Sequence, residues 1–201
     1  MKLNIGIVGY GNLGKSVEQV ILSKNEYNLV AIFSRRSIKS NYNSLVEPIE
    51  NMANYKSSID IMILCGGSKN DLSSQTLETL RYYDCINAFD THSKIYSELT
   101  KLNRFAKKSN HRLIMCTGWD PGVFSVIRAY LYAFSKQKPV TFWGTGISMG
   151  HSDALRQVAG VKDAVQFTIP NQNAIKLVKK NRPPYIIEET NVVIIESTPY
   201  W

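Results

Sequence analysis

The sequence predicts an α/β fold: a parallel sheet wrapped by helices, followed by a second, partial α+β unit. Three observations carry this. Short β-rich runs recur with near-continuous hydrophobicity, as strands buried on both faces require. Amphipathic stretches long enough for helices lie between them, and strand–helix alternation implies a parallel sheet with right-handed crossovers. After residue 118 this alternation stops and the texture changes.

In order, the strand candidates are LNIGIV (3–8), YNLVAIF (27–33), DIMILC (60–65), CINAF (85–89) and RLIMC (112–116). In GKSVEQVILSK, residues Val17, Val20, Ile21 and Leu22 fall mostly on one face of a helix. Residues 71–82 and 93–109 read the same way, whereas 36–59 is less regular. WDPGVFSVIRAYLYAFSK begins a helix with Pro121 near its first turn. VTFWGTGISMGHSD is strand-like and glycine-rich, with Trp143 in a packing role, and EETNVVIIESTPYW reads as a further strand. The expected division falls near residue 118, with one domain over 1–118 and another over 119–201.

Composition bounds the function. Apolar content of 44% and charged content of 20% suit a globular protein. The apolar stretch at the N-terminus is too short to span a membrane and has no long signal-peptide core, so a cytoplasmic protein without a membrane role is expected. The net charge of +8 is spread along the chain apart from a cluster at Lys176, Lys179, Lys180 and Arg182. No nucleic-acid-binding motif accompanies it, and a positive field suits an anionic small molecule at least as well. Cys65, Cys85 and Cys116 each sit in or beside apolar runs and read as buried free thiols. The three histidines, His92, His111 and His151, lack metal-ligand spacing, so no metal is expected.

The first strand runs into GYGNLG, where Gly9, Gly11 and Gly14 form GxGxxG. The match follows a buried strand, opens a helix and precedes a second strand, which is the context a Rossmann-type dinucleotide site needs. Gly9 permits the tight turn, Gly11 lets a pyrophosphate reach the backbone, and Gly14 lets helix and strand pack closely. The phosphates, placed over Gly11, Asn12, Leu13 and Gly14, would meet the unpaired amides of a helix N-terminus. About twenty residues further on, an NAD site usually has an acid for the ribose hydroxyls. Here the chain offers Ser34, Arg35 and Arg36 instead. Guanidinium forks match phosphate, so the pair reads as a clamp on the 2′-phosphate of NADP, the other reading being a solvated loop.

GIVGYGNLGKSVE, FSRR, CGGS, TGWDPGVFS and FWGTGISMGHSDALRQVAGVKDAVQFTIP together resemble the meso-diaminopimelate dehydrogenase family, over roughly residues 1 to 170. The resemblance implies NADP-dependent oxidative deamination of the D-centre of meso-2,6-diaminopimelate to L-2-amino-6-oxopimelate and ammonia, a reversible step toward lysine. It also implies a homodimer in a full-length form, with 1–118 the dinucleotide-binding domain and 119–201 an incomplete substrate and dimerisation domain. It assigns Cys65, Gly66, Gly67 and Ser68 to the cofactor, and Asp90, Trp119, Asp120, Met149, Gly150 and Thr168 to the substrate. Asp90 and Asp120 follow predicted strands, where α/β sites form. Either carboxylate could hold the reacting ammonium, accept a proton and orient the attacking water, and which does which stays open. Helix capping is the other reading of both. The family's Arg, His and Asn for the distant L-centre come from a later segment, and 183–201 contains no Arg or His. A non-catalytic NADP-binding remnant and another NADP-linked reductase therefore stay open beside the dehydrogenase.

Overall fold

The computed structural model describes residues 2–134, 145–148, 152, 155–156, 158–173, 176, 180 and 190–196. Six parallel strands form the first sheet: β1 (Leu3–Val8), β2 (Tyr27–Ser34), β3 (Val46–Pro48), β4 (Ile61–Leu64), β5 (Asp84–Asn87) and β6 (Leu113–Ile114). Their order is β3-β2-β1-β4-β5-β6. The chain steps outward from β1 on one side, then crosses back and steps outward on the other. This places a switch of direction between β1 and β4, where open α/β sheets leave a crevice at their C-terminal edge.

Side-chain alternation along the strands builds two apolar layers. Ile5 and Ile7 of β1 and Ile32 of β2 pack with Tyr10, Ile21 and Cys65. Val8, Ala31, Phe33, Met62, Leu64 and Cys85 point into a second cluster with Leu72, Leu80, Tyr83 and Leu102. Helices α1 (Asn12–Leu22), α2 (Leu72–Thr79) and α3 (Ile95–Ser109) cover the sheet. The αL cap of α3 at Asn110, with φ 56°, ends that helix with amide bonds to Ala106 and Lys107 carbonyls.

Several elements differ from the sequence reading. In α1 the buried residues are Gly14, Glu18 and Ile21, whereas Val20 and Leu22 are about half exposed. A helix turns 100° per residue, so Ile21 and Leu22 cannot share an inward face, and the inner stripe runs 14, 18, 21 with a carboxylate in its middle. The irregular segment 36–59 supplies the edge strand β3 and a 3₁₀ stretch, Ile49–Tyr55. Pro121 lies two residues ahead of α4 (Val123–Phe134), after a cis peptide bond at Asp120-Pro121. Cys116 is only partly buried, at a positive φ of 61°, because it turns the chain out of β6. Cys65 and Cys85 are buried, as expected.

The first compact unit spans Met1–Lys136, beyond the boundary placed at 118. The reason is local: Thr117 is bonded to the Asn87 carbonyl at the end of β5, which ties the following turn to the sheet. The second unit contains β7 (Gly146–Ser148), β8 (Asp163–Ile169) and β9 (Thr190–Glu196), an antiparallel sheet in the order β7-β8-β9. Within it, buried Ser152 accepts the Gln166 amide at 2.9 Å, and Arg156 pairs with Asp163 at 2.6 Å. Met149, Gly150 and Trp143 lie outside the described residues. No helix among the described residues is long and apolar enough to cross a membrane.

Candidate functional site

A cavity of about 450 Å³ opens at the C-terminal edge of the first sheet. Its wall includes Gly9 and Gly11, Ser34 to Arg36, and Cys65 to Gly67, three separate stretches that the sequence reading assigns together. Gly9 has a φ of +92°, a conformation that glycine adopts without a side-chain penalty. A side chain at Gly14 would put its Cβ 2.2 Å from the Gly9 carbonyl oxygen, so α1 packs onto the turn only with glycine there. At Gly11 the same construction meets nothing within 4 Å. The space beside the turn is open, and α1 begins there with no side-chain cap and no acid in its first turn. Its free amides therefore favour an anion. Asn12, Leu13 and Gly14 form that first turn and are not part of the cavity wall.

The sequence near Ser34 offers no acid, yet the structure supplies one from 36 residues away. Asp71 accepts from Arg35 at 2.7 Å and from the Gly67 amide at 3.2 Å. Asp71 is the N-cap residue of α2, but its side chain makes no cap bond, being turned toward Arg35. Arg35 remains largely exposed, at 63%, so the pair is well screened. The Ser34 hydroxyl accepts the Arg36 amide at 3.1 Å and shapes the loop. Tyr10, Phe33, Ile49, Asp71 and Gln75 complete the wall, and none was read from the sequence. A carboxylate at a helix start is an ordinary N-cap residue type, so the local sequence carries little signal for Asp71.

Glu18 was also missed. It is fully buried in α1, accepts from the Tyr10 hydroxyl, and accepts from Ser40 at 2.5 Å. The Tyr10 hydroxyl in turn accepts the Asn41 amide at 2.8 Å. Ser40 accepts the Tyr42 and Ser44 amides, each at 3.0 Å. One carboxylate thus ties the glycine turn to the loop beyond the arginine pair. Burial pushes the Glu18 carboxyl upward, but the hydroxyls of Ser40, Ser44 and Tyr10 outweigh it and hold the group below its ordinary value. The Cys65 thiol in the wall is pushed up to about 12 by burial and stays protonated.

Beyond β5 and β6, on the same edge, lie the two aspartates. The Asp90 amide donates to the Ser68 hydroxyl at 2.9 Å, and Ser68 also meets Thr91 at 3.2 Å. Ser68, assigned to the cofactor, is thereby joined to Asp90 and lies off the cavity wall. The Asp90 charge reaches Cys116, whose thiol is raised first by burial and then by that carboxylate. Asp120 is bonded to Arg128 of α4 at 2.5 Å and to Ser125 at 3.3 Å. The Arg128 bond holds the Asp120 carboxyl below its usual range against partial burial, with smaller help from Ser125 and the His92 charge. Asp90 and Asp120 make no side-chain bond to a helix-capping amide among the described residues, so capping does not account for them here. Trp119 is 67% exposed, its ring tilted against Phe124 at 5.4 Å. Thr168 lies in β8 of the second unit, paired with Gly146 and Asn191. Among the described residues no three His, Cys, Asp or Glu side chains gather as a metal site.

Sheet order, glycine turn and the cavity at the sheet's C-terminal edge define the Rossmann class of dinucleotide-binding folds. Residues 118–193 match the family model for the diaminopimelic acid dehydrogenase C-terminal domain. Over the stretch it spans, the chain is similar to proteins named meso-diaminopimelate D-dehydrogenase. The meso-diaminopimelate D-dehydrogenase of Ureibacillus thermosphaericus is 43% identical over 189 residues, covering 91% of this chain and 57% of that protein. Two solved structures agree. An engineered D-amino acid dehydrogenase bound to NADP+ superposes with a TM-score of 0.85 at 32% identity, over 96% of this chain and 61% of that one. The Corynebacterium glutamicum DAP dehydrogenase in complex with DAP gives 0.84 at 35% identity, over 90% and 57%. The chain spans about three fifths of the length of these relatives.

Proposed function

We propose that this protein is an NADP-dependent dehydrogenase that oxidatively deaminates the D-centre of meso-2,6-diaminopimelate, releasing L-2-amino-6-oxopimelate and ammonia. The observation that carries the reading is a cavity joining the glycine turn, the open N-terminus of α1 and the arginine pair. Its residues fit the cofactor: Gly9 and Gly11 leave room for a pyrophosphate, and Arg35 and Arg36 supply donors for a 2′-phosphate. When bound, the cofactor supplies the hydride acceptor. The protein's own part falls to two carboxylates beyond neighbouring strands. Asp120, kept ionised by Arg128, suits an electrostatic role, holding a substrate ammonium. Asp90 is fixed through its backbone by Ser68, and its carboxylate forms no ion pair among the described residues. It is the better placed of the two to accept a proton and orient water. Trp119 is assigned to the substrate wall and Thr168, Met149 and Gly150 to further substrate contacts, and a full-length form would act as a cytoplasmic homodimer.

The test is direct. Purified protein is mixed with NADP and meso-diaminopimelate, and the absorbance of the reduced cofactor is followed beside the LL isomer. Reduction with the meso isomer and not the LL isomer supports the reading. Bound NADP that neither isomer reduces would overturn it.

A further inference from the structure

One polar group in the cavity wall has no partner among the described residues. Gln75 of α2 is 9% exposed, and its Oε1 is a fully buried side-chain atom with no hydrogen bond. Its helix neighbours on the inner face are Leu72, Thr76 and Thr79, and Thr76 accepts a bond from Asn87 at 3.0 Å. An apolar side chain of similar length would fill position 75 without stranding an amide, so a buried glutamine there calls for a ligand. Gly66 supports this. A Cβ at Gly66 would lie 2.2 Å from Gln75 Oε1, so the amide rests against the bare Gly66 backbone, in the wall that Gly67, Ile49 and the arginine pair share.

We propose that Gln75 reads the adenine base of the bound dinucleotide, its side-chain oxygen accepting a hydrogen bond from the exocyclic amine. The inference rests on the cavity taking NADP. If Arg35 and Arg36 hold the 2′-phosphate, the base on the same ribose lies within a few ångströms of that phosphate, against the neighbouring wall. A primary amide carries an acceptor and a donor side by side, the complement of the amine and ring nitrogen of adenine. Rotation about the terminal torsion, which is broad and roughly two-fold, turns the oxygen from Gly66 toward the cavity.

The probe is a deamino-NADP in which unsubstituted purine replaces adenine, so that a hydrogen stands where the amine was and the ring nitrogens stay acceptors. Dissociation constants for NADP and deamino-NADP are measured by titration on the unmodified protein, Gln75→Met and Gln75→Glu. The unmodified protein should prefer NADP by about tenfold, the worth of one hydrogen bond. Gln75→Met should bring the ratio near one while NADP is still preferred over NAD. Gln75→Glu, an acceptor only, should raise the ratio above that of the unmodified protein, since its charge strengthens the bond from the amine, which the probe lacks. Both phosphorylated ligands share every other group, so general loosening of the site cancels in the ratio. An unchanged ratio in either folded variant would overturn the proposal while leaving NADP binding intact. Failure of the unmodified protein to bind NADP would overturn the cofactor reading along with it.

Discussion

Replacing Glu18 with Gln removes one charge at nearly constant volume, and it leaves the buried network around Tyr10 and Ser40 one bond short. The Ser40 hydroxyl already accepts two amides, from Tyr42 and Ser44, so its proton must point at Glu18 Oε1. A Gln NH2 turned toward Ser40 would face a donor. The amide must turn the other way, with its oxygen on Ser40 and its NH2 on Tyr10. The Tyr10 hydroxyl then accepts from Gln and from the Asn41 amide and leaves its own proton without a partner. Two charge-assisted bonds become one neutral bond and one weakened contact, a loss of about 2–3 kcal/mol. For a chain of this size that is a fall in Tm of roughly 6–10 °C. The pH dependence has a definite sign. The folded pKa of Glu18 lies below its unfolded value, so its contribution is full above about pH 4.5 and fades as pH falls through the folded pKa. Thermal unfolding at pH 7 and pH 4 should therefore show a gap between the two proteins that narrows at the lower pH. A variant equal in Tm at pH 7, or a gap that widens on acidification, would refute the network as drawn.

Other substitutions test neighbouring contacts. Gly14→Ala forces a methyl into the Gly9 carbonyl and should cost about 3 kcal/mol or more, read as a lowered denaturant midpoint; a shift under about 1 kcal/mol would mean the turn yields easily. Arg128→Met should raise the Asp120 carboxyl toward its ordinary value, seen in a carboxyl-carbon NMR titration, and an unmoved titration would show that Arg128 is not what depresses it. Arg36→Ala should weaken NADP binding more than Arg35→Ala, because Asp71 already engages Arg35; the opposite order in calorimetric titrations would assign the phosphate to Arg35.

The sheet was legible because strands buried on both faces carry continuous apolar runs that need no partner to be recognised. Gly9 and Gly14 were legible because backbone geometry alone demands them. What escaped was polar and depended on distant chain. Asp71 looks like a cap until Arg35 is beside it, and Glu18 looks like the solvent side of a helix until Tyr10 and Ser40 close over it. Val20 and Leu22 were assigned inward because they are apolar, although the 100° step separates them from the buried stripe. The pairings of Asp120 with Arg128 and of Ser68 with the Asp90 amide arise from turns whose geometry no local pattern encodes.

Recognition of the 2′-phosphate is the central claim, and two pairs of calorimetric titrations test it most directly. NADP and NAD are each titrated into the unmodified chain and into the Arg35→Ala, Arg36→Ala double variant. Charge-assisted contacts contribute about 1.5–3 kcal/mol each when well sheltered, but Arg35 is 63% exposed and shared with Asp71, so the two together are discounted to about 1.5–3 kcal/mol. That predicts NADP binding about ten- to a hundredfold tighter than NAD, falling to near equality in the double variant. Equal affinities in the unmodified chain, or a preference that survives loss of both guanidinium groups, would contradict the claim.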